Sequence, residues 1–174
     1  GTAFPFKGGL ASFNERLAYA LQEQGHEVEI VTFTLQYPGF IFPGKTQYSD
    51  EPAPAGLKIS RGIHSVNPFN WLQLGSRIRR SKPDLILIKF WLPFMGPAFG
   101  TILRKIKKNG HTRVISILDN VIPHEKRPGD IPFIRYFLKP VDGFLSMSHE
   151  VLKDLRQFEP AKPALFSPHP VFDI

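Results

Sequence analysis

Hydrophobic positions follow two different periods in the first 34 residues of the chain. Residues 10–24 place apolar side chains at helical spacing, and Gly25 follows where a left-handed residue commonly ends a helix. Residues 27–34 then alternate in the two-residue period of a strand. A glycine pair, Gly8 and Gly9, precedes the helix. The pattern predicts a glycine turn, a helix and a strand in succession, as in a βαβ unit.

The same alternation of strand and helix continues to the end of the chain. Residues 84–90 are almost continuously apolar, which is typical of a strand in a parallel sheet that is covered on both faces. Further strands are predicted at 57–63, 113–118, 143–147 and 164–166. Further helices are predicted at 68–80 with Asn67 as N-cap, in the later turns of 94–109, at 133–138 and at 149–158. This order predicts an α/β fold with a doubly wound, mostly parallel sheet, which binds ligands beyond the carboxyl ends of its strands.

Composition limits the size and the setting of this fold. With 174 residues, 42% of them hydrophobic and 16 of them Phe, the chain can bury one substantial core, so we expect a single domain over residues 1–174. There is no cysteine, which excludes disulfides and cysteine-bound zinc, and the histidine spacings fit no zinc template. We therefore expect no metal. No long apolar run or signal-peptide layout is present, so a cytoplasmic protein is the default expectation.

The formal net charge of +7 favours an acidic partner. Two predicted helices end in clusters of cations, which are Arg77, Arg79, Arg80 and Lys82 in one and Arg104, Lys105, Lys107 and Lys108 in the other. These clusters are consistent with peripheral contact with an anionic membrane, at its inner face, and equally with ordinary cations at helix C-termini. Nucleic acid is not expected as a partner, because the chain has no helix-turn-helix, stacked-aromatic motif or Arg-rich arm.

Five motifs along the chain resemble the amino-terminal half of a group 1 (family 4) glycosyltransferase. They are Lys7-Gly-Gly-Leu10, Leu17-Ala-Tyr-Ala-Leu-Gln-Glu-Gln-Gly-His-Glu-Val28, Pro83-Asp-Leu-Ile-Leu-Ile88, Asp119-Asn-Val-Ile-Pro-His-Glu125 and Val141-Asp-Gly-Phe-Leu-Ser-Met-Ser148. The resemblance implies the GT-B architecture, in which two Rossmann-like domains face each other across a cleft. This chain is similar to the acceptor-side domain.

The resemblance also implies what lies outside the chain. We expect Gly1 to Ala3 to be the end of a truncated first strand, and residues 167–174 to be the start of a hinge to a missing C-terminal domain. That domain would hold most of the activated-sugar site, so the chain alone is expected to be inactive. The implied reaction is a retaining transfer from a nucleotide-diphosphate sugar to a glycan, lipid-linked or small-molecule acceptor, with no separate cofactor.

The glycine turn is the first candidate site. Gly8 and Gly9 can both adopt positive φ and let a ligand approach the backbone, while N–H groups at the helix start stabilise a diphosphate. Lys7 would add a positive charge to the same diphosphate. The alternative is a tight turn with no ligand and a solvated Lys7.

The second candidate site is the polar loop that follows the strand at 113–118. Asp119 stands where many members of the resembled family carry a histidine, and we expect it and His124 to serve catalysis. Asn120 and Glu125 are expected to bind substrate, with Asn120 also holding the loop through an Asx turn. The alternative is a loop cap and a surface His–Glu pair. No strong protein base is required if the leaving phosphate assists deprotonation of the acceptor.

Two other functions stay open at this point. A non-catalytic subunit that binds the acceptor for a separate catalytic chain would need only this domain. A dinucleotide-binding oxidoreductase would need Gly-x-Gly-x-x-Gly and an acidic residue at the end of the second strand. The chain has only Gly8-Gly9, and the strand ends Val31-Thr-Phe-Thr34, which counts against that class.

Overall fold

One helix and two parallel strands form the first unit of the chain, Gly1–Asn70. In the computed structural model, which describes residues 1–44 and 47–168, helix α1 spans Gly9–Glu23 and strands β1 and β2 span Glu29–Leu35 and Lys58–His64. The core of this unit includes Ala3, Ala18 and Ile30, packed against Val28, Leu57 and Ile59. The two strands pair in parallel, with register shifts near Phe33.

The first three residues lie beside β1. The Gly1 amine donates to the Val31 carbonyl at 2.7 Å, and the Ala3 N–H donates to Thr32 Oγ1 at 3.0 Å. Residues 1–3 have no strand assignment, so their identity as the end of a first strand stays a prediction.

Four parallel strands form the sheet of the second unit, Trp71–Ile174. They occur in the order β3 (Leu85–Phe90), β4 (Arg113–Leu118), β5 (Gly143–Ser146) and β6 (Ala164–Phe166). The helices are α2 (Pro68–Ser81), which begins in the first unit, α3 (Gly96–Lys107), α4 (Asp130–Leu138) and α5 (His149–Arg156), with a 3₁₀ turn at Pro93–Met95. The predicted α/β class with parallel strands is confirmed, and the described strands lie in two sheets because hydrogen bonds join β1 only to β2 and β3 only to β4.

The helix ends follow the predicted chemistry. Gly25 and Gly110 have φ of 91° and 66° just after α1 and α3, as expected for left-handed C-terminal residues. Asn67 Oδ1 accepts from the Phe69 and Asn70 N–H groups at 3.1 and 3.3 Å, and Ser148 Oγ accepts from the Val151 N–H at 3.4 Å. Both side chains are N-caps, as predicted for Asn67.

Several boundaries differ from the sequence prediction by one or two residues, and the start of α4 differs by three. Helix α4 begins at Asp130 and not at 133, because Gly129 is left-handed and Asp130 Oδ2 accepts from the Arg127 N–H at 2.7 Å, which closes an extra turn. Helix α3 begins at Gly96, after a 3₁₀ turn at Pro93–Met95, so the later turns of the predicted segment 94–109 are the helical ones. The expected hinge at 167–174 lies outside the described residues from position 169 onwards. The extent of the domain also stays a prediction.

Aromatic stacking and close helix contact build the core of the second unit. The rings of Phe90 and Phe137 are stacked at 4.2 Å, and Phe99 lies 6.3 Å from Phe137. A Cβ placed on Gly96 would lie 2.5 Å from the Phe133 carbonyl oxygen, so α3 approaches α4 at a point where only a hydrogen atom fits.

In the described part of the chain, no helix is long and apolar enough to cross a membrane.

Asp142 connects α3 to the sheet. It accepts from Lys107 Nζ at 2.8 and 2.6 Å and from the Val114 N–H at 2.8 Å. Burial acts to raise the pKa of Asp142, but these hydrogen bonds and the charges of Lys107 and Arg113 outweigh it and hold the pKa below its ordinary value of 3.8. The ionised carboxylate therefore stabilises the fold.

We expect Gly96→Ala to destabilise the protein by about 1–3 kcal/mol, because the new methyl group would overlap the backbone of α4. Urea unfolding measures this change. Gly39→Ala is the control, since a Cβ there has no atom within 4 Å, and its unfolding midpoint should match the wild type. Equal midpoints for the two variants would contradict the close contact.

We expect Asp142→Asn to lower the free energy of unfolding by about 1 kcal/mol at neutral pH, because the exchange removes a partly exposed ion pair. The pKa of Asp142 is lower in the folded protein, so its contribution is complete above the ordinary aspartate pKa and is lost as pH falls through the folded value. The difference between wild type and variant should shrink below about pH 4. A difference that is constant from pH 7 to pH 3 would exclude this linkage.

Candidate functional site

The glycine turn of the first unit leaves the start of α1 open. Gly8 has φ of 116° and precedes the helix as its N-cap, and its carbonyl accepts from the Ser12 N–H at 3.0 Å. No side chain caps α1 among the described residues, and its first turn has no acidic residue. Among the described residues, no side-chain cap or acidic side chain therefore offsets the first N–H groups and the positive dipole end of this 15-residue helix.

A pocket of about 140 Å³ lies at this turn. It is lined by Thr2, Phe6, Lys7, Gly8, Gly9, Leu10, Gln36, Tyr37 and Gln47. Its inner wall is fixed by Gln36 Nε2, which donates to Thr2 Oγ1 at 2.9 Å, with both residues buried. At roughly 30 Å³ per water molecule, the pocket has the size of a phosphate group with some solvent.

The structure separates the roles of the two glycines. Only Gly8 has a positive φ, which a side chain would strain, whereas Gly9 is the first residue of α1. The expectation of positive φ therefore applies to Gly8 alone, because Gly9 already has the helical backbone. A Cβ on Gly9 would meet no atom within 4 Å, so a side chain there would extend into open space at the pocket.

Lys7 lies at the mouth of the same pocket. Its side chain is exposed, while its N–H donates to the Gln47 carbonyl at 3.2 Å and fixes the backbone. The sequence therefore grouped Lys7, Gly8 and Gly9 correctly in space. Their binding roles stay predictions.

An ion pair marks the carboxyl edge of the sheet in the second unit. Lys89 Nζ, on β3, donates to Asp119 Oδ1 at 2.8 Å and to Oδ2 at 2.9 Å. The Lys89 side chain is 6% exposed and the Asp119 side chain 23% exposed. Asp119 follows β4 directly, and its N–H donates to the Phe90 carbonyl at 2.9 Å, which extends the pairing of β3 with β4 by one step.

This pair decides what Asp119 can do chemically. Both carboxylate oxygens already accept from a buried ammonium group, and each keeps lone-pair capacity for one further donor. Asp119 is therefore suited to accept hydrogen bonds from sugar hydroxyls.

The other predicted residues of this loop lie apart from the ion pair. The side chains of Asn120, His124 and Glu125 are exposed and make no hydrogen bond to other described residues. The Asx turn expected at Asn120 is absent within the described part of the chain. His124 and Glu125 both lie on the surface, which is consistent with the alternative of a surface His–Glu pair. The structure thus brings Asp119 together with Lys89 and not with His124, and the substrate roles of the three exposed residues stay predictions.

Sequence reasoning did not single out Lys89. It lies within the apolar segment 84–90, where the pattern predicts a buried strand and the side chain is read as one more core position. A signal was present, because a lysine in a buried strand requires an acidic partner, and Asp119 ends the next strand of the second half.

We expect Lys89→Met to destabilise the protein by about 2–3 kcal/mol, because it leaves the Asp119 carboxylate without its partner. This cost is smaller than for a fully buried pair, since Asp119 is 23% exposed. Asp119→Asn should cost a similar amount. The double variant Lys89→Met/Asp119→Asn should be more stable than the sum of the single effects predicts, and a double-mutant cycle from urea unfolding measures the coupling. Strictly additive effects would show that the pair contributes nothing.

The comparisons with known proteins agree with this arrangement of elements. A family model for Glycosyltransferase Family 4 matches residues 7–168, which includes the glycine turn, the Lys89 strand and the Asp119 loop. The chain has no significant match among curated proteins. Since the family match covers nearly all of the sequence, the chain belongs to glycosyltransferase family 4.

Proposed function

We propose that this chain is the acceptor-side domain of a retaining glycosyltransferase. The enzyme transfers a sugar from a nucleotide-diphosphate sugar to a hydroxyl group of a glycan, lipid-linked or small-molecule acceptor. Family membership supports a transferase in general terms. The observation that carries the specific proposal is the uncapped start of α1 at the Gly8 pocket.

The Gly8 pocket is suited to the diphosphate end of the donor. Helices α2 and α5 each have a side-chain cap, from Asn67 and Ser148, whereas α1, like α3, has no side-chain cap and no acidic residue in its first turn among the described residues. The start of α1 also lines the pocket. A phosphate oxygen would accept from the free N–H groups of α1 and would meet the positive charge of Lys7. Negative charge grows on the diphosphate as the sugar departs, so these groups stabilise the transition state more than the ground state.

The Asp119 carboxylate has a positioning role in this proposal. Lys89 holds it in a fixed orientation through two hydrogen bonds, and its free lone pairs accept from hydroxyl groups of a sugar. As the bond between the anomeric carbon and the phosphate oxygen breaks, the acceptor oxygen bonds to the same carbon on the same face. The acceptor proton passes to the departing phosphate, so Asp119 need not act as a base.

The exposed side chains that follow Asp119 supply further contacts. Asn120, His124 and Glu125 have donors and acceptors that no other described residue uses. They would bind sugar hydroxyls. Of the three, His124 is the one proposed to serve catalysis, because histidine is the commonest general acid or base. Their exposure leaves them free to adapt to the acceptor.

We expect Gly9→Val, introduced into the full-length protein encoded by the gene, to lower transfer by about 100-fold or more. The valine side chain would fill the pocket beside the N–H groups, while the helical backbone at Gly9 and the open space around it let the protein fold. Release of nucleoside diphosphate from the donor in the presence of acceptor measures the rate. Wild-type turnover in this variant would refute the diphosphate role of the turn.

Gly39→Val is the matched control, since a Cβ at Gly39 also meets no atom within 4 Å and the residue lies outside the pocket lining. Its turnover should equal that of the wild type. A wild-type protein that binds acceptor but releases no nucleoside diphosphate with any donor would instead favour a non-catalytic, acceptor-binding subunit.

A further inference from the structure

A basic groove of about 590 Å³ lies in the second unit, where α2 and α3 end. It is lined by Ser76, Arg79, Arg80, Lys82, Lys108 and Asn109. Four of these six residues are cationic, and no acidic residue lines the groove. A concave surface of this charge attracts an anion.

The basic groove is separate from the Asp119 site. Lys82 lies just before β3 and Asn109 just before β4, so the groove is at the amino edge of the sheet. Asp119 lies at the carboxyl edge, beyond all six residues of β4. At roughly 3.3 Å per residue, that strand places about 20 Å between the two edges. Any ligand of the groove is therefore not the group that reacts at Asp119.

The cations of the basic groove have no acidic partners among the described residues. Lys107, next in sequence to Lys108, is paired with Asp142 at 2.6 Å. A lysine at the same helix end therefore does have an acidic partner. Arg79, Arg80, Lys82 and Lys108 are in none of the ion pairs found in the described ranges. Helix dipoles favour cations at helix C-termini in general, but they do not require these four to share one concavity.

The floor of the basic groove is rigid. Asn109 Nδ2 donates to Thr112 Oγ1 at 2.8 Å and to the Arg79 carbonyl at 3.4 Å. Asn109 Oδ1 accepts from the N–H groups of His111 and Thr112 at 2.8 and 3.0 Å. The ends of α2 and α3 are thus held together before any ligand binds, which lowers the entropic cost of binding.

Lys82 has a backbone conformation that costs free energy for a lysine. Its φ of 47° makes it the one non-glycine residue with positive φ among the described residues. Helices α1 and α3 end in the same way with Gly25 and Gly110, which adopt positive φ without strain. Of these three positive-φ residues, Lys82 is the one that lines the groove, and a strained residue at a candidate site is a sign of function.

We propose that the basic groove binds a phosphate-bearing anion with at least two negative charges, through Arg79, Arg80, Lys82 and Lys108. Arginine forms two parallel hydrogen bonds to phosphate, and the lysines add compact charge. A soluble diphosphate and the headgroups of an anionic lipid surface offer this same chemistry. The inference does not depend on the proposed transfer reaction, because it concerns the opposite edge of the sheet.

The test compares two double variants that remove the same charge. Arg80→Gln/Lys108→Gln removes two cations of the groove, and Lys126→Gln/Lys153→Gln removes two exposed cations outside its lining. The probes are inorganic pyrophosphate by isothermal titration calorimetry and vesicles by sedimentation, made of phosphatidylcholine with or without phosphatidylglycerol. Loss of charge-assisted hydrogen bonds should weaken binding to the groove variant about tenfold or more and leave the control near wild type.

The outcomes separate the two sources of phosphate. Saturable pyrophosphate binding that the groove variant loses supports a soluble ligand, and binding to anionic vesicles alone, lost in the same variant, supports a lipid surface. Equal weakening in both double variants would reduce the effect to net charge and overturn the proposal. Absence of binding to both probes by the wild-type protein would also overturn it. Gly9→Val identifies any pyrophosphate bound at the Gly8 pocket, so the two proposals fail independently.

Lys82→Gly gives a readout that a structural role would not produce. Glycine relieves the strained φ, so the thermal unfolding midpoint should stay at or above that of the wild type, while phosphate binding weakens several-fold. A variant that binds pyrophosphate and vesicles as tightly as the wild type would remove Lys82 from the site and contradict the proposal in its stated form.

Discussion

The buried ion pair of Lys89 and Asp119 fixes the carboxyl edge of the four-stranded sheet. An ammonium group that is only 6% exposed requires an anion within reach, and the carboxylate accepts from it through both oxygens. The backbone N–H of Asp119 also donates to the Phe90 carbonyl, so the polar loop begins from a fixed point. The substrate contacts proposed for that loop all depend on this anchor.

Polar groups that are satisfied internally show by contrast which ones are available to ligands. Asn67 and Ser148 cap their helices, and Asp142 neutralises Lys107, so these groups hold the fold together. The start of α1 has no such cap, and the basic groove has cations without acidic partners in the described part of the chain. We propose both features as anion sites, and they differ in construction, since one presents backbone N–H groups and the other presents side-chain charge.

Much of the fold followed from local patterns. The strands at Arg113–Leu118 and Ala164–Phe166 were predicted at their observed bounds, because their short length and the turn residues on either side favour a strand over a helix. Helix ends at Gly25 and Gly110 followed from glycine in the left-handed conformation. The start of α4 was not predicted from a local pattern, since it depends on a hydrogen bond between the Asp130 side chain and the Arg127 backbone.

The sequence by itself determined the α/β class, the order of elements, the glycine turn and the polar loop at a strand end, because each is encoded within a few neighbouring residues. Only the tertiary structure decided that Lys89 holds Asp119, 30 positions away, and that Arg79 and Lys108 face one groove. It also decided that the positive φ that favours glycine occurs at Gly8 and not at Gly9. Partners of buried charges are chosen by strand pairing and helix packing, which bring distant residues together in ways that no local pattern specifies.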